Sequence, residues 1–285
     1  MRKNIDHAKR RASYQFDSLA ELSRFISDTP RKWRSKSSES EGRSKSWDLG
    51  AGFADAVRMA RDGWLEGAKL SEAALAVFAP KDAAPDTVTD FYGHMPHVPR
   101  FCAGAPDSMI RKARDGRGGM GRVLTLYIPV NALAGVSAAS MANFGVAVAQ
   151  YINELETAKN VRCEVFGTMT SNVSGYILNH TWLVKRADQP LDLAVMAFAI
   201  GHPAMFRRLG FALRERSDVR EDPSYGTSID TKLSYLLDPP SGAYVLNGMK
   251  DADTVARTPE KALAFIEKQI SKALEVSDAD SEGDI

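Results

Sequence analysis

Residues 121–167 read GRVLTLYIPVNALAGVSAASMANFGVAVAQYINELETAKNVRCEVFG. Within them, RVLTLYIPV (122–130) is β-branched and aromatic with almost no charge, the composition of a strand buried on both faces. Ser137 stands where a helix cap is needed. After it, Met141, Phe144, Val148, Tyr151 or Ile152, and Leu155 recur at helical spacing, while Gln150, Asn153, Glu154 and Glu156 point away from that stripe. VRCEVFGTM (161–169) is a second strand. A strand, an amphipathic helix and a second strand in about fifty residues form a βαβ unit, whose crossover is almost always right-handed and whose strands are parallel. The expectation is therefore an α/β protein: a mostly parallel central sheet over residues 120–275 with helices on both faces.

Beyond this unit, YILNHTWLVKR (176–186) alternates more and suits an edge or antiparallel strand. LDLAVMAFAI and PAMFRRLGFALRER read as helices broken near Gly201, with Pro203 in a first turn. GAYVLNGM (242–249) is a short strand. TPEKALAFIEKQISKAL is a helix capped by Thr258, with Pro259 and Glu260 in its first turn and Leu263, Ile266, Ile270 and Leu274 as its stripe. Residues 276–285 are an acidic tail expected to be disordered.

Upstream, residues 1–46 read as a basic, partly disordered arm. Its first fifteen residues look loosely ordered, and its one helix is FDSLAELSRFISDTP, capped by Asp17 or Ser18 and ended by Pro30. RKWRSKSSESEGRSKS (31–46) reads as a flexible loop. Residues 47–119 form a helical region and a Pro-rich strap. Phe53, Val57, Ala60 and Trp64 mark one helix, Gly63 a break and LSEAALAVF another helix, and five prolines fall between residues 80 and 106.

Composition bounds the function. The chain has 285 residues, 44% hydrophobic and 26% charged, with a formal net charge of +1. That is ordinary for a globular protein with a sizeable core. The charge is uneven: residues 1–46 carry 12 Lys+Arg against 6 Asp+Glu, so the remainder is −5. Two cysteines, Cys102 and Cys163, give no disulfide framework and suit a reducing cytoplasm. The basic N-terminus lacks an apolar signal core, and no apolar run approaches the ~20 residues that span a bilayer, so no membrane role is expected.

The order of strand, loop, long helix, strand, antiparallel strand, helices and final strand–helix resembles the von Willebrand factor type A fold. That family holds a divalent cation on Asp-x-Ser-x-Ser after the first strand, because a hard cation needs converging oxygens. The equivalent positions here are Asn131, Leu133 and Gly135, in a turn with no Asp, Glu or Lys. The resemblance thus implies a domain whose metal site is lost, with no metal and no cofactor. It also implies a protein partner, an AAA+ ATPase of the MoxR kind. FDSLAELSRFI, ADAVRMARDGW and HVPRFCAGAPDSM, with the later strand–helix–strand, further resemble an uncharacterised family found in bacteriophage and prophage genomes.

Other motifs fail on context. GRGGMG (116–121) precedes a strand, whereas a dinucleotide loop follows one and opens a helix. HMPHVPRFC places His94, His97 and Cys102 together but lacks the fourth ligand of structural zinc. Cys102 or Cys163 with His180 would make a thiolate–imidazole pair, but Cys163 lies inside an apolar strand, where cysteine is an inert hydrophobe. Asp188 and Asp192 are the best candidates for an acidic strand-end site, which would make a metal-dependent hydrolase. Basic residues beside Trp33 suggest contact with phosphates, through Arg10, Arg11, Arg31, Lys32, Arg34, Arg114 and Arg117.

The leading expectation is a non-enzymatic adaptor or scaffold, phage or mobile-element encoded and acting in the host cytoplasm. Its binding surface is expected at the strands' C-terminal ends: Asn131, Gly135, Ser137, Thr168, Thr170 and Asp188. Nucleic-acid binding is the alternative, and a metal-dependent hydrolase the third.

Overall fold

The structure is a computed structural model that describes residues 1–33, 37–39, 45–78, 87–92, 95–112, 122–157, 159, 161–219, 227–249 and 256–282. The chain divides into two compact units, residues 1–75 with 123–285, and residues 76–122.

In the larger unit the strands are β1 (Arg2–Asp6), β2 (Arg11–Phe16), β6 (Val123–Pro129), β7 (Arg162–Val173), β8 (Tyr176–Lys185), β9 (Thr227–Ser228) and β10 (Tyr244–Val245). They form one sheet in the order β1-β2-β8-β7-β6-β10, with β9 paired to β7. The expected α/β architecture is present, a mostly parallel central sheet with helices. β10, β6 and β7 run parallel, and β2 is parallel to β8. β8 lies antiparallel to β7, as its alternation suggested, but it is no edge strand, because β2 takes its other side.

Residues 1–15, expected to be loosely ordered, are a strand hairpin that extends the sheet. The cause is local. RASYQF alternates, and Ala12, Tyr14 and Phe16 enter the main core while Arg11, Ser13 and Gln15 face the other way.

The helices are α1 (Leu19–Asp28), α2 (Lys45–Asp48), α3 (Phe53–Asp62), α4 (Leu65–Phe78), α6 (Ala138–Thr157), α7 (Leu193–Met196), α8 (Phe211–Arg216) and α9 (Pro259–Glu282), with α5 (Val98–Cys102) in the small unit. Ser18 caps α1 by accepting from the Glu21 N–H at 3.1 Å. Gly63 ends α3 at φ +78°. α9 runs on to Glu282, through most of the tail expected to be disordered. Two π-helical stretches, Ala197–Gly201 and Met205–Gly210, flank the break at His202.

α6 is the organising helix. Ser137 caps it, its Oγ accepting from the Ser140 N–H at 3.1 Å. It is buried nearly all round, because the sheet, α9 and the first π-helical stretch enclose it. Gln150, expected to point outward, is consequently buried. The contact with the π-helical stretch is backbone on backbone: a Cβ on Gly145 would stand 2.3 Å from the Gly201 Cα.

The expectation of helices on both faces is corrected. The apolar residues that α1, α3, α6, α7, α8 and α9 bury in a cluster all lie in one main core, on the sheet face of Leu124, Leu126, Ile128, Leu178 and Trp182. The other face carries a separate small cluster of Tyr127, Phe166, Leu236 and Ala243, to which no α-helix among the described residues contributes. An irregular strap, residues 229–243, covers it. Ser13 Oγ donates to the Tyr235 carbonyl at 2.7 Å, and Thr170 and Thr231 hydroxyls meet at 2.8 Å.

The small unit has a three-stranded antiparallel sheet, β3 (Thr87–Asp90), β5 (Met109–Lys112) and β4 (Met95–Pro96), with β5 in the middle, and the short helix α5. Within the Pro-rich strap of the sequence, residues 87–92 and 95–106 are therefore folded. His97 caps α5, its Nδ1 accepting from the Arg100 N–H at 3.3 Å.

Candidate functional site

The turn between β6 and α6 is where a sheet of this kind would hold a ligand. Its backbone is tied down by the chain itself. The Val130 N–H donates to the Thr168 carbonyl at 2.9 Å, and Ala132 bridges to Met249. At its far end, Arg207 donates from Nη2 to the Val136 carbonyl at 2.6 Å, and its guanidinium lies 3.8 Å over the Trp47 ring. Arg207 is buried, as are Arg208, paired with Asp48 at 2.7 Å, and Glu215, which accepts from Ser38 Oγ at 2.6 Å. A ring-stacked guanidinium bonded to a carbonyl is a buried cation held by the chain itself. This clamp was not anticipated from the sequence, in which RR at 207–208 is one basic pair among many.

The six expected binding-surface residues separate. Asn131, Thr168 and Thr170 do come together, but in the interior. Asn179 Nδ2 donates to Thr168 Oγ1 at 2.9 Å and to Thr170 Oγ1 at 2.8 Å, and Thr181 donates to Asn179 Oδ1 at 2.9 Å. These side chains are all buried, so they pin the strand register and the strap rather than face a partner. Asn131 Nδ2 donates to the Ile229 carbonyl at 3.3 Å, and its Oδ1 is buried without a partner among the described residues. Ser137 is engaged as the helix cap. Gly135 is open: a Cβ there would meet nothing. Asp188 does not join the others. β8 runs against β7, so the residues after it leave the sheet at the end where β6 begins, opposite Asn131.

The chemistry this arrangement permits is narrow. A single neutral amide oxygen at Asn131 is far short of the six or more oxygens of a calcium site. Among the described residues, no three of His, Cys, Asp and Glu come together as a metal site. Asp192 is used as the cap of α7, accepting from the Ala194 and Val195 N–H groups at 2.9 and 3.0 Å. Burial pushes the Cys163 thiol up to about 12, with the nearby Glu156 carboxylate adding and Lys185 opposing. His180 pairs with Met169, six residues beyond Cys163 on β7, which is about 20 Å of strand. The pair cannot meet. His180 itself is fully buried against the Tyr14 ring, centroids 5.0 Å apart, and burial lowers its pKa to about 3, the Arg214 charge adding.

The basic candidates also separate. Arg31 pairs with Glu39 and lies 3.5 Å from Glu215, and Lys32 pairs with Asp218. Those charges serve the fold. Arg10 and Arg11 make no ion pair with a described carboxylate; each lies 5.2 Å over a tyrosine ring, Tyr176 and Tyr235. Arg34, Arg114, Arg117, His94 and the GRGGMG stretch lie outside the described residues.

The small unit offers a different surface. Phe91 is 72% exposed, Tyr92 66%, Met95 51%, Val98 61% and Phe101 66%. Five large apolar side chains within eleven residues stand out, each on β3–β4, its linking turn or α5. Cys102, next to Phe101, is an exposed free thiol.

Among the described residues no helix is long and apolar enough to cross a membrane. No curated protein and no solved structure matches the chain. A family model described as "Domain of unknown function (DUF7192)" matches residues 3–276, and the chain belongs to that family.

Proposed function

We propose that the chain works by contact rather than catalysis, as an adaptor that binds a protein partner through the small unit. The observation that carries this is the Phe91–Phe101 surface. Solvent-exposed aromatic and methionine side chains gathered in one small element cost solubility, and they are the side chains enriched at interface centres. The larger unit supports the reading from the other side: its turn is closed by its own groups and its polar sheet face lies under the strap.

In this reading the β6–α6–β7 unit with its oxygen-poor turn is the remnant of a von Willebrand A-like domain. The protein is phage or mobile-element encoded and acts in the host cytoplasm. An AAA+ ATPase of the MoxR kind is the first partner to test. These three points rest on the sequence resemblances alone.

The test is a binding titration of the full chain against a purified MoxR-type ATPase, or against any component captured from host cells and then purified. The variant F91S/Y92S/F101S is expected to lose affinity on the order of tenfold or more. Its melting temperature is expected to stay within a few degrees of the parent. An unchanged affinity in that variant would remove the small unit from the interface.

A further inference from the structure

At the sheet end where β1 ends and β2 and β8 begin, two arginine–tyrosine stacks stand at consecutive residues on opposite faces, Arg10 over Tyr176 on the main-core face and Arg11 over Tyr235 on the strap face. Arg11 pairs with Ile177 across β2 and β8, which sets Arg10 beside the β7–β8 turn. Arg10 donates from Nη2 to the Ser174 carbonyl at 3.0 Å, packs against Gly175 and covers the Tyr176 ring. Arg11 donates from Nη1 to the Ser234 carbonyl at 3.1 Å and covers Tyr235, while its Nε finds no acceptor among the described residues. Lys232 comes to 6.0 Å from the same Tyr235 ring, and Lys9 is largely exposed. Of the nearby acids, Asp6 is held by Lys9, through its N–H at 2.9 Å and its ammonium at 3.5 Å, and Asp230 is exposed on the strap.

We propose that this sheet end binds single-stranded nucleic acid passing over the strand ends from one face to the other, with Lys9, Arg10, Arg11 and Lys232 on the phosphates and Tyr176 and Tyr235 as platforms for bases. Cations interleaved with aromatic rings are the arrangement that grips a flexible strand without reading its sequence. Duplex fits less well, because its bases are not available to stack. The site differs from the basic residues near Trp33, whose partners are carboxylates of the fold. It is independent of the small unit's role, and the two together would make the chain a bridge between a nucleic acid and a protein.

The experiment is fluorescence anisotropy of a labelled oligothymidylate of about 20 nucleotides with the full chain, across a salt series. Four phosphate contacts on a single strand give a slope of log affinity against log salt near −3, so binding should fall about fifty-fold between 50 and 200 mM. K9E/K232E, on exposed side chains, is expected to cut affinity at least tenfold with unchanged melting. Y235L should cost about five-fold or more through lost stacking. No binding at 50 mM salt would overturn the proposal, as would binding that K9E/K232E leaves intact. Equal loss of oligothymidylate and heparin binding in K9E/K232E, with no effect of Y235L, would mark a generic polyanion surface and overturn it too.

Discussion

Replacing Gly145 with alanine is expected to lower stability by roughly 3 kcal/mol, and valine there should leave little folded protein, since domains hold only about 5–15 kcal/mol in all. The reason is geometric. A Cβ at Gly145 would stand 2.3 Å from the Gly201 Cα and 2.7 Å from its nitrogen, and a Cβ at Gly201 would stand 2.9 Å from the Gly145 Cα. Both neighbours are backbone, so no rotamer change relieves the overlap. α6 would have to move off the first π-helical stretch, and with it the buried apolar residues of that crossing, Phe144, Val148, Phe198 and Ile200. Gly135→Ala is the control, since its Cβ meets nothing. Urea unfolding of both variants is the measurement. A Gly145→Ala midpoint equal to that of Gly135→Ala would mean that the two elements are not in contact as described.

Acid should begin to destabilise the protein before its carboxylates protonate. His180 and His202 are buried, and burial lowers their pKa values to about 3 and about 4; the Arg214 charge adds at His180, while the Asp48 charge opposes at His202. Unfolded, both titrate near the ordinary value of about 6.5. Above pH 6.5 both states hold neutral imidazole and the full stability is present. Below it the unfolded chain takes up protons that the folded chain refuses, so stability falls as pH drops, until the folded imidazoles themselves protonate. Each contributes a slope approaching ~1.4 kcal/mol per pH unit in that window, ~2.7 together. Asp218, held down to about 2 chiefly by hydrogen bonds from Lys32 and Lys3, adds its loss only below the usual carboxylate range, and solvent screens it. Urea midpoints from pH 7 to pH 4 give the slope. His180→Phe keeps the stack on Tyr14 and should remove about half of it; an unaltered slope would place the acid sensitivity elsewhere.

Much of the fold is legible because one stretch obeys local rules. In residues 122–169 the apolar run, the Ser137 cap and the helical stripe agree, and the structure pairs β6 with β7 in parallel around α6. What escaped was non-local. The β2 segment alternates as cleanly as any strand, but its flanking charges suggested coil, and only the vacant side of β8 makes it part of the sheet. Helices on both faces follow from a generic βαβ pattern. The strap occupies the second face instead, where Thr168, Thr170, Asn179 and Thr181 bond one another and the Thr231 hydroxyl, a polar network that an apolar helix stripe would not match. The candidate site shows the same division. That the β6–α6 turn lacks anionic ligands is plain from NALAG. That Arg207 reaches Val136 from over seventy residues away, through a π-helical stretch, has no signature in sequence. That Phe91, Tyr92 and Phe101 stand exposed has no signature either, since nothing local tells an exposed aromatic from a buried one.

The β6–α6 turn is closed by the Arg207 guanidinium and by the chain's own backbone bonds, and among the described residues no cluster of acidic, His or Cys side chains could cage a cation there. Calorimetric titration of the full chain with Mg²⁺, Ca²⁺ and Zn²⁺ at neutral pH and low salt tests it most directly. The expected result is no saturable binding tighter than about 1 mM for any of the three. Saturable binding that Asn131→Ala abolishes would contradict it and return the turn to the class of metal sites.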